Sequence, residues 1–256
     1  MTPQEWITAT TKPSHDLPGA PPLLPGEIHI WRASQTVEPA VLSRLHGLLD
    51  PAEKARAERF VFQRDRDRFI VGRGLLRELL AAYIGCEPAQ LGFDYGPQGK
   101  PSLRASESAA IAHAASHIRF NASHSQGLAA FAFALDCDLG IDVELIRNNF
   151  GGEEIAQRFF SREEVAELMS LPPEARAEAF FLCWTRKEAY IKARGQGLQI
   201  PLASFSVSLT PGQPEQLRAD DASRWELRSF QPKDDYAGAF VVEGKGHSLR
   251  YFDWRP

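Results

Sequence analysis

Two long helical stretches, each followed by a run of short strands, constrain this 256-residue chain more than any other feature. From Pro51 to Ile84 the apolar residues Phe60, Phe69, Ile70, Leu75, Leu76, Leu79 and Leu80 recur at helical intervals among many arginines. Gly72 and Gly74 in that stretch allow close packing. Strand candidates follow at Leu91 to Tyr95, Ile118 to Ser123, Leu128 to Leu135 and Leu139 to Glu144. The Ala- and Ser-rich spacer Ala105 to Ser116 reads as a surface loop or short helix. In the second half, Ser161 and Glu164 form a Ser-x-x-Glu capping box that starts a helix running toward Met169. A longer helix runs from about Pro173 to Lys192 and ends before Gly195 and Gly197. Strands are then expected at Phe205 to Leu209, Trp225 to Phe230, Tyr236 to Val242 and Leu249 to Asp253. The stretch holding Phe69, Ile70 and Arg73 parallels the one holding Phe181, Leu182 and Arg186, a hint of internal duplication.

Ahead of these elements, Glu27 to Arg32 reads as a strand and Glu38 to Leu49 as a helix. Met1 to Gly26 is rich in proline and has no apolar period, so it is expected to be a flexible arm outside the core. A net charge of -4 and a pI near 6.0 argue against a main partner with a nucleic acid backbone, which needs a basic surface. An anionic substrate must therefore be held by local basic residues. Cys86, Cys137 and Cys183 form no Cys-x-x-Cys pair, which disfavours a zinc ribbon or redox motif and fits reduced thiols in the cytoplasm. No basic start and apolar run resembling an export signal is present. The longest apolar run, around Leu128 to Leu135, is far shorter than the roughly 20 residues a membrane-spanning helix needs.

Gly140-Ile141-Asp142-Val143-Glu144 ends an apolar strand with two carboxylates two residues apart, and the strand period puts them on one face. Alone, such a pair is most simply a solvated strand end. Glu188 and Lys192, at i and i+4, share one helix face, and their plain alternative is a surface ion pair. Together, Asp142, Glu144 and Glu188 suit magnesium, which takes a few carboxylates plus phosphate oxygens and water. Lys192 would add positive charge beside the phosphates. Phe120 to Ser125 resembles Ser and His nucleophile chemistry, but adjacent Ser123 and His124 on a strand point to opposite faces, and no Gly-x-Ser-x-Gly elbow surrounds the serine. Gly99-Lys100-Pro101 is a turn signal.

In order and spacing, Gly99-Lys100-Pro101, Asn121-Ala122-Ser123-His124-Ser125, Gly140-Ile141-Asp142-Val143-Glu144 and Trp184 to Lys192 resemble the phosphopantetheinyl transferase superfamily. The likeness is to the two-subdomain type that activates surfactin-like synthetases, and it runs from roughly Asp50 to Leu209. It includes Arg59-Phe60, Phe159-Phe160-Ser161 and Phe205 to Leu209. The resemblance implies an α+β fold of two similar subdomains in pseudo-twofold tandem, 27–137 and 138–256, with coenzyme A in the cleft between them. It implies transfer of phosphopantetheine from coenzyme A to a serine of an apo acyl or peptidyl carrier protein, by a monomer with no membrane or nucleic acid partner. Magnesium, or manganese in its place, is expected on Asp142, Glu144 and Glu188, with Glu188 or a metal-bound water beside it as base and Lys192 as the catalytic cation. By the same likeness, Arg56, Lys100, Pro101, Asn121, Ser123, His124 and Lys192 contact coenzyme A, with Arg56, Lys100, Ser123 and His124 holding the nucleotide and its 3'-phosphate. Glu53 stands where the family has a basic residue. A silent module that only binds coenzyme A or carriers would not need the intact set of Asp142, Glu144, Glu188 and Lys192. A metal-dependent phosphodiesterase would need more His and Asp ligands.

Overall fold

The computed structural model describes residues 4–10, 20–147 and 151–256. Strand β1 (Trp6–Thr10) precedes β2 (Glu27–Ser34), which leads into helices α1 (Pro39–Gly47), α2 (Pro51–Glu58) and α3 (Gln63–Ile84). The hairpin β3 (Phe93–Tyr95) and β4 (Pro101–Leu103) and the helix α4 (Ala109–His117) then feed the strands β5 (Ile118–Ser125), β6 (Leu128–Leu135) and β7 (Leu139–Leu145). Helices α5 (Gly152–Phe159), α6 (Arg162–Ser170) and α7 (Pro173–Ala193) come next. The chain ends with the short pair β8 (Ser206–Val207) and β9 (Leu217–Arg218), then β10 (Trp225–Phe230), β11 (Tyr236–Glu243) and β12 (Ser248–Arg255). The mixture of helices and mixed sheets is an α+β fold.

Two sheets pack back to back. The first has the order β1-β12-β2-β6-β5 and the second β10-β11-β7. Strand alternation sends Trp31, Phe131, Phe133 and Phe252 of the first sheet toward Leu75, Leu76, Leu79 and Leu80 of α3. The opposite face presents Ile28, Ile30, Ala130, Ala132 and Ala134 to Leu139, Ile141, Val143, Phe240 and Val242 of the second sheet. Alanine at every second position of β6 keeps that face thin where the sheets meet. The outer face of the second sheet, with Ala237, Ala239 and Val241, is covered by Phe181, Ala189 and Ala193 of α7. The layers therefore run helix, sheet, sheet, helix, and both site-bearing elements of the second half, β7 and α7, are in contact.

Two sequence expectations change. The stretch Pro51 to Ile84 is two helices: Asp50 and Glu53 cap α2 reciprocally, and extended Phe62 separates it from α3. Within the expected arm, Trp6–Thr10 pairs in parallel with Tyr251 to Arg255, and Trp6 packs on Tyr251 and Phe230. Trp6 and Ile7 carry enough apolar surface to dock a strand despite the surrounding prolines; residues 1–3 and 11–19 of that arm lie outside the described residues. The spacer contains the short helix α4, one of the two forms expected for it. The last strand, β12, returns across the chain to pair with β2 in the first sheet. Aromatic packing fixes it there: Phe252 stacks on Trp31 at 4.6 Å.

Candidate active site

Gly140 decides how near α7 can come to β7. A Cβ there would lie 2.2 Å from the Ala189 carbonyl oxygen and 2.3 Å from the Ala193 nitrogen, so only glycine lets the helix backbone rest on the strand. That approach brings the last two turns of α7, with Glu188 and Lys192, against Asp142 and Glu144. The Lys192 ammonium bonds Asp142 Oδ1 at 2.6 Å and Ser123 Oγ at 3.2 Å.

The other edge of β7 has no strand partner, yet its amides are satisfied. Ile141 N donates to Asn121 Oδ1 at 2.9 Å, Val143 N to Ser123 Oγ at 3.4 Å and Leu145 N to Ser125 Oγ at 3.3 Å. Polar side chains at every second residue of β5 thus replace a backbone ladder. The same serines donate onward, Ser123 Oγ to Asp142 Oδ1 at 2.7 Å and Ser125 Oγ to Glu144 Oε2 at 2.6 Å. As expected from strand alternation, Ser123 is buried while His124 faces outward.

Burial in this packed cleft raises the Glu144 carboxyl above its usual value. Glu188 is pushed to about 6, first by burial and then by the nearby Asp142 charge. Although the His124 side chain reaches solvent, partial desolvation by its neighbours and then the Lys192 ammonium hold it below its ordinary value.

Among the described residues, no three His, Cys, Asp or Glu side chains stand in ligating geometry. Lys192 occupies one oxygen of Asp142. The donor set nonetheless fits a hard divalent cation: it is all oxygen, and Asp142 Oδ2 is buried with no hydrogen-bond partner. Glu144 and Glu188, both raised in pKa, are in electrostatic contact with it.

The residues expected at the nucleotide are arranged less simply. Gly99, at φ +78°, turns the hairpin so that Lys100 points inward. The Lys100 Nζ donates to the carbonyls of Leu139 at 3.0 Å and Lys192 at 2.8 Å, clasping the start of β7 to the end of α7. Burial lowers its pKa. Asn121 is likewise engaged by β7. Pro101, Lys100, Asn121 and Lys192 still line one recess of about 200 Å³. Arg56 is exposed on the last turn of α2, over the Phe69 ring at 5.2 Å. Glu53 is buried, bonding Arg77 Nε at 2.6 Å and also Arg73, so a cation at that position would meet two guanidinium groups.

Sequence reasoning gave no role to Ser125 or Lys187. The fully buried Lys187 ammonium bonds Glu164 at 2.8 Å and the carbonyls of Leu202 and Phe205 at 2.7 Å each. Polar residues at 121, 123 and 125 carry a period-two signal that could have revealed the first; no local signal marks the second.

Residues 138–241 match the family described as the 4'-phosphopantetheinyl transferase superfamily. Residues 31–135 match the one described as 4'-phosphopantetheinyl transferase, N-terminal. The chain is 40% identical over 234 residues to the 4'-phosphopantetheinyl transferase HetI of Nostoc sp., covering 91% of this chain and 92% of that protein. It is 30% identical over 166 residues to the 4'-phosphopantetheinyl transferase Sfp of Bacillus subtilis, covering 65% and 69%. The solved holo-(acyl-carrier-protein) synthase of Thermotoga maritima aligns with 43% of this chain and 64% of that chain at 24% identity and a TM-score of 0.35. With two family matches flanking the cleft and a relative alike along almost its whole length, this chain belongs to the 4'-phosphopantetheinyl transferase superfamily.

Proposed function

We propose that this enzyme transfers 4'-phosphopantetheine from coenzyme A to a serine hydroxyl of an apo acyl or peptidyl carrier protein and releases 3',5'-ADP. The observation that carries the reading is the meeting of Asp142, Glu144, Glu188 and Lys192 at the β7–α7 contact, with one oxygen of Asp142 left without a partner. Magnesium, or manganese in its place, would be held by Asp142, Glu144 and Glu188 and would supply charge withdrawal from the diphosphate. Glu188, whose carboxyl is raised by burial and by the Asp142 charge, takes the proton from the carrier serine. The serine oxygen bonds to the phosphorus that carries pantetheine, and the bond from that phosphorus to the oxygen of 3',5'-ADP breaks. Lys192, already beside Asp142, neutralises charge on the departing oxygen.

The recess lined by Lys100, Pro101, Asn121 and Lys192 supports a nucleotide at this end of the cleft. Ser123, His124 and Arg56 are assigned to its phosphate side. The layer order supports two similar halves, 27–137 and 138–256, each a helix on a sheet, in pseudo-twofold tandem, with β12 as the crossing element. We assign the enzyme to the cytoplasm as a monomer. Three free cysteines support that setting, and among the described residues no helix is long and apolar enough to cross a membrane.

The test is incubation with coenzyme A, magnesium and an apo carrier, followed by the mass of the carrier. The carrier gains the phosphopantetheine mass with the wild-type enzyme, and Asp142→Ala, Glu144→Ala and Glu188→Gln each abolish or greatly slow the gain. Unchanged turnover in Glu188→Gln at saturating magnesium would remove it from the roles of base and ligand.

A further inference from the structure

Each of two serines on β5 is held from one side and holds a carboxylate on the other. Ser125 Oγ accepts from Leu145 N at 3.3 Å, so its single hydrogen is free to go to Glu144 Oε2 at 2.6 Å. Ser123 repeats the arrangement two residues earlier, between Val143 N and Asp142 Oδ1. We propose that Ser125 is a positioning residue for cation capture: it fixes the rotamer of Glu144, and with Ser123 it sets the spacing of the two β7 carboxylates. The proposal rests on the function and metal ligands assigned above and deepens them.

The register explains why the hydroxyls stand where they do. Amides of β7 at 141, 143 and 145 take side chains of β5 at 121, 123 and 125, and the carboxylates at 142 and 144 fall within reach of the two serines. A slip of one residue would bring Ala122 and outward-facing His124 to those places, and alanine has no hydroxyl to offer. Glutamate has three side-chain torsions, so a carboxylate with no such anchor spends much of its time away from the ligating rotamer. Partners that orient a ligating carboxylate contribute roughly 10- to 100-fold to metal affinity.

The experiment uses the full chain with coenzyme A present and Mn²⁺ as the probe, its bound fraction read by electron paramagnetic resonance. Ser125→Ala is expected to bind Mn²⁺ roughly 10- to 100-fold more weakly, with a metal-free melting temperature only a few degrees lower for the lost Leu145 N bond. Ser125→Thr, which keeps the hydroxyl, is expected to restore affinity to within a few fold. Equal Mn²⁺ affinity in folded Ser125→Ala and wild type overturns the proposal, as does a Ser125→Thr protein as weak as Ser125→Ala. Should Ser125→Ala not fold, Ser125→Cys, with a weak donor in nearly the same volume, takes its place under the same criteria. Carrier mass is measured in parallel. A wild type that transfers nothing overturns the function, whereas one that transfers but shows no Ser125-dependent Mn²⁺ binding overturns only this inference.

Discussion

Replacing Lys100 by methionine asks whether its ammonium serves the fold or the nucleotide. Nζ donates to Leu139 O and Lys192 O, the latter among the carbonyls that end α7. Methionine keeps an unbranched apolar stem of similar length but removes the donors. Hydrogen bonds from a charged group contribute about 1.5–3 kcal/mol each. A cation at a helix C-terminus adds about 0.3–1 kcal/mol. Against these stands the desolvation of the ammonium, the same burial that lowers its pKa. A net loss of about 2–4 kcal/mol is expected, on the order of 10 °C in Tm for a chain of this size. The pH dependence has a definite sign. Because the folded pKa lies below the unfolded one, the unfolded chain holds the proton longer, and wild-type stability rises with pH between the two values. Lys100→Met should lose that alkaline rise. Differential scanning fluorimetry across pH, with steady-state kinetics on coenzyme A and dephospho-coenzyme A, reads all of this. A variant that melts within about 2 °C of wild type, but whose KM rises only for the donor with a 3'-phosphate, would refute the clasp and restore the phosphate-reading role expected from sequence.

Glu188→Gln should stabilise the metal-free protein above pH 6 by at most about 2 kcal/mol, because a carboxyl raised to about 6 costs stability as pH rises through that range. Below pH 4.5 the two proteins should melt alike; urea denaturation at pH 4 and pH 8 checks both halves of the statement. Lys187→Met leaves Glu164 buried and uncompensated and should cost about 3–5 kcal/mol, read as a shift of the urea midpoint; a loss under about 1 kcal/mol would deny the pair its anchoring role. Deleting residues 1–10 removes Trp6 from Tyr251 and Phe230 and should lower stability by about 1–3 kcal/mol, while transfer stays within a few fold of wild type. A Tm identical to wild type would show that β1 contributes nothing.

Much of the site was legible from residue order alone. The carboxylate pair at 142 and 144 follows from the strand period, and Glu188 with Lys192 from the helix period, because both depend only on neighbours along the chain. The Ser161 to Glu164 capping box is local in the same way, and it forms as expected. Strand alternation also keeps the adjacent Ser123 and His124 from pairing as nucleophile and base.

Other features exist only because distant segments meet. Lys100 reads as a turn lysine, and what it binds depends on carbonyls 39 and 92 residues away. Trp6–Thr10 lies in a proline-rich stretch with no period of its own, and its strand forms because β12 offers an open edge and aromatic cover. The return of β12 to the first sheet is likewise decided by Phe252 finding Trp31. Gly140 is one glycine in a strand until α7 rests on it, and Ser125 is one polar residue until β7 lacks a partner strand beside it. Periodicity determines which side chains share a face, since it is a property of backbone geometry; what those faces meet is settled only when burial and hydrogen-bond satisfaction are solved for the whole chain at once.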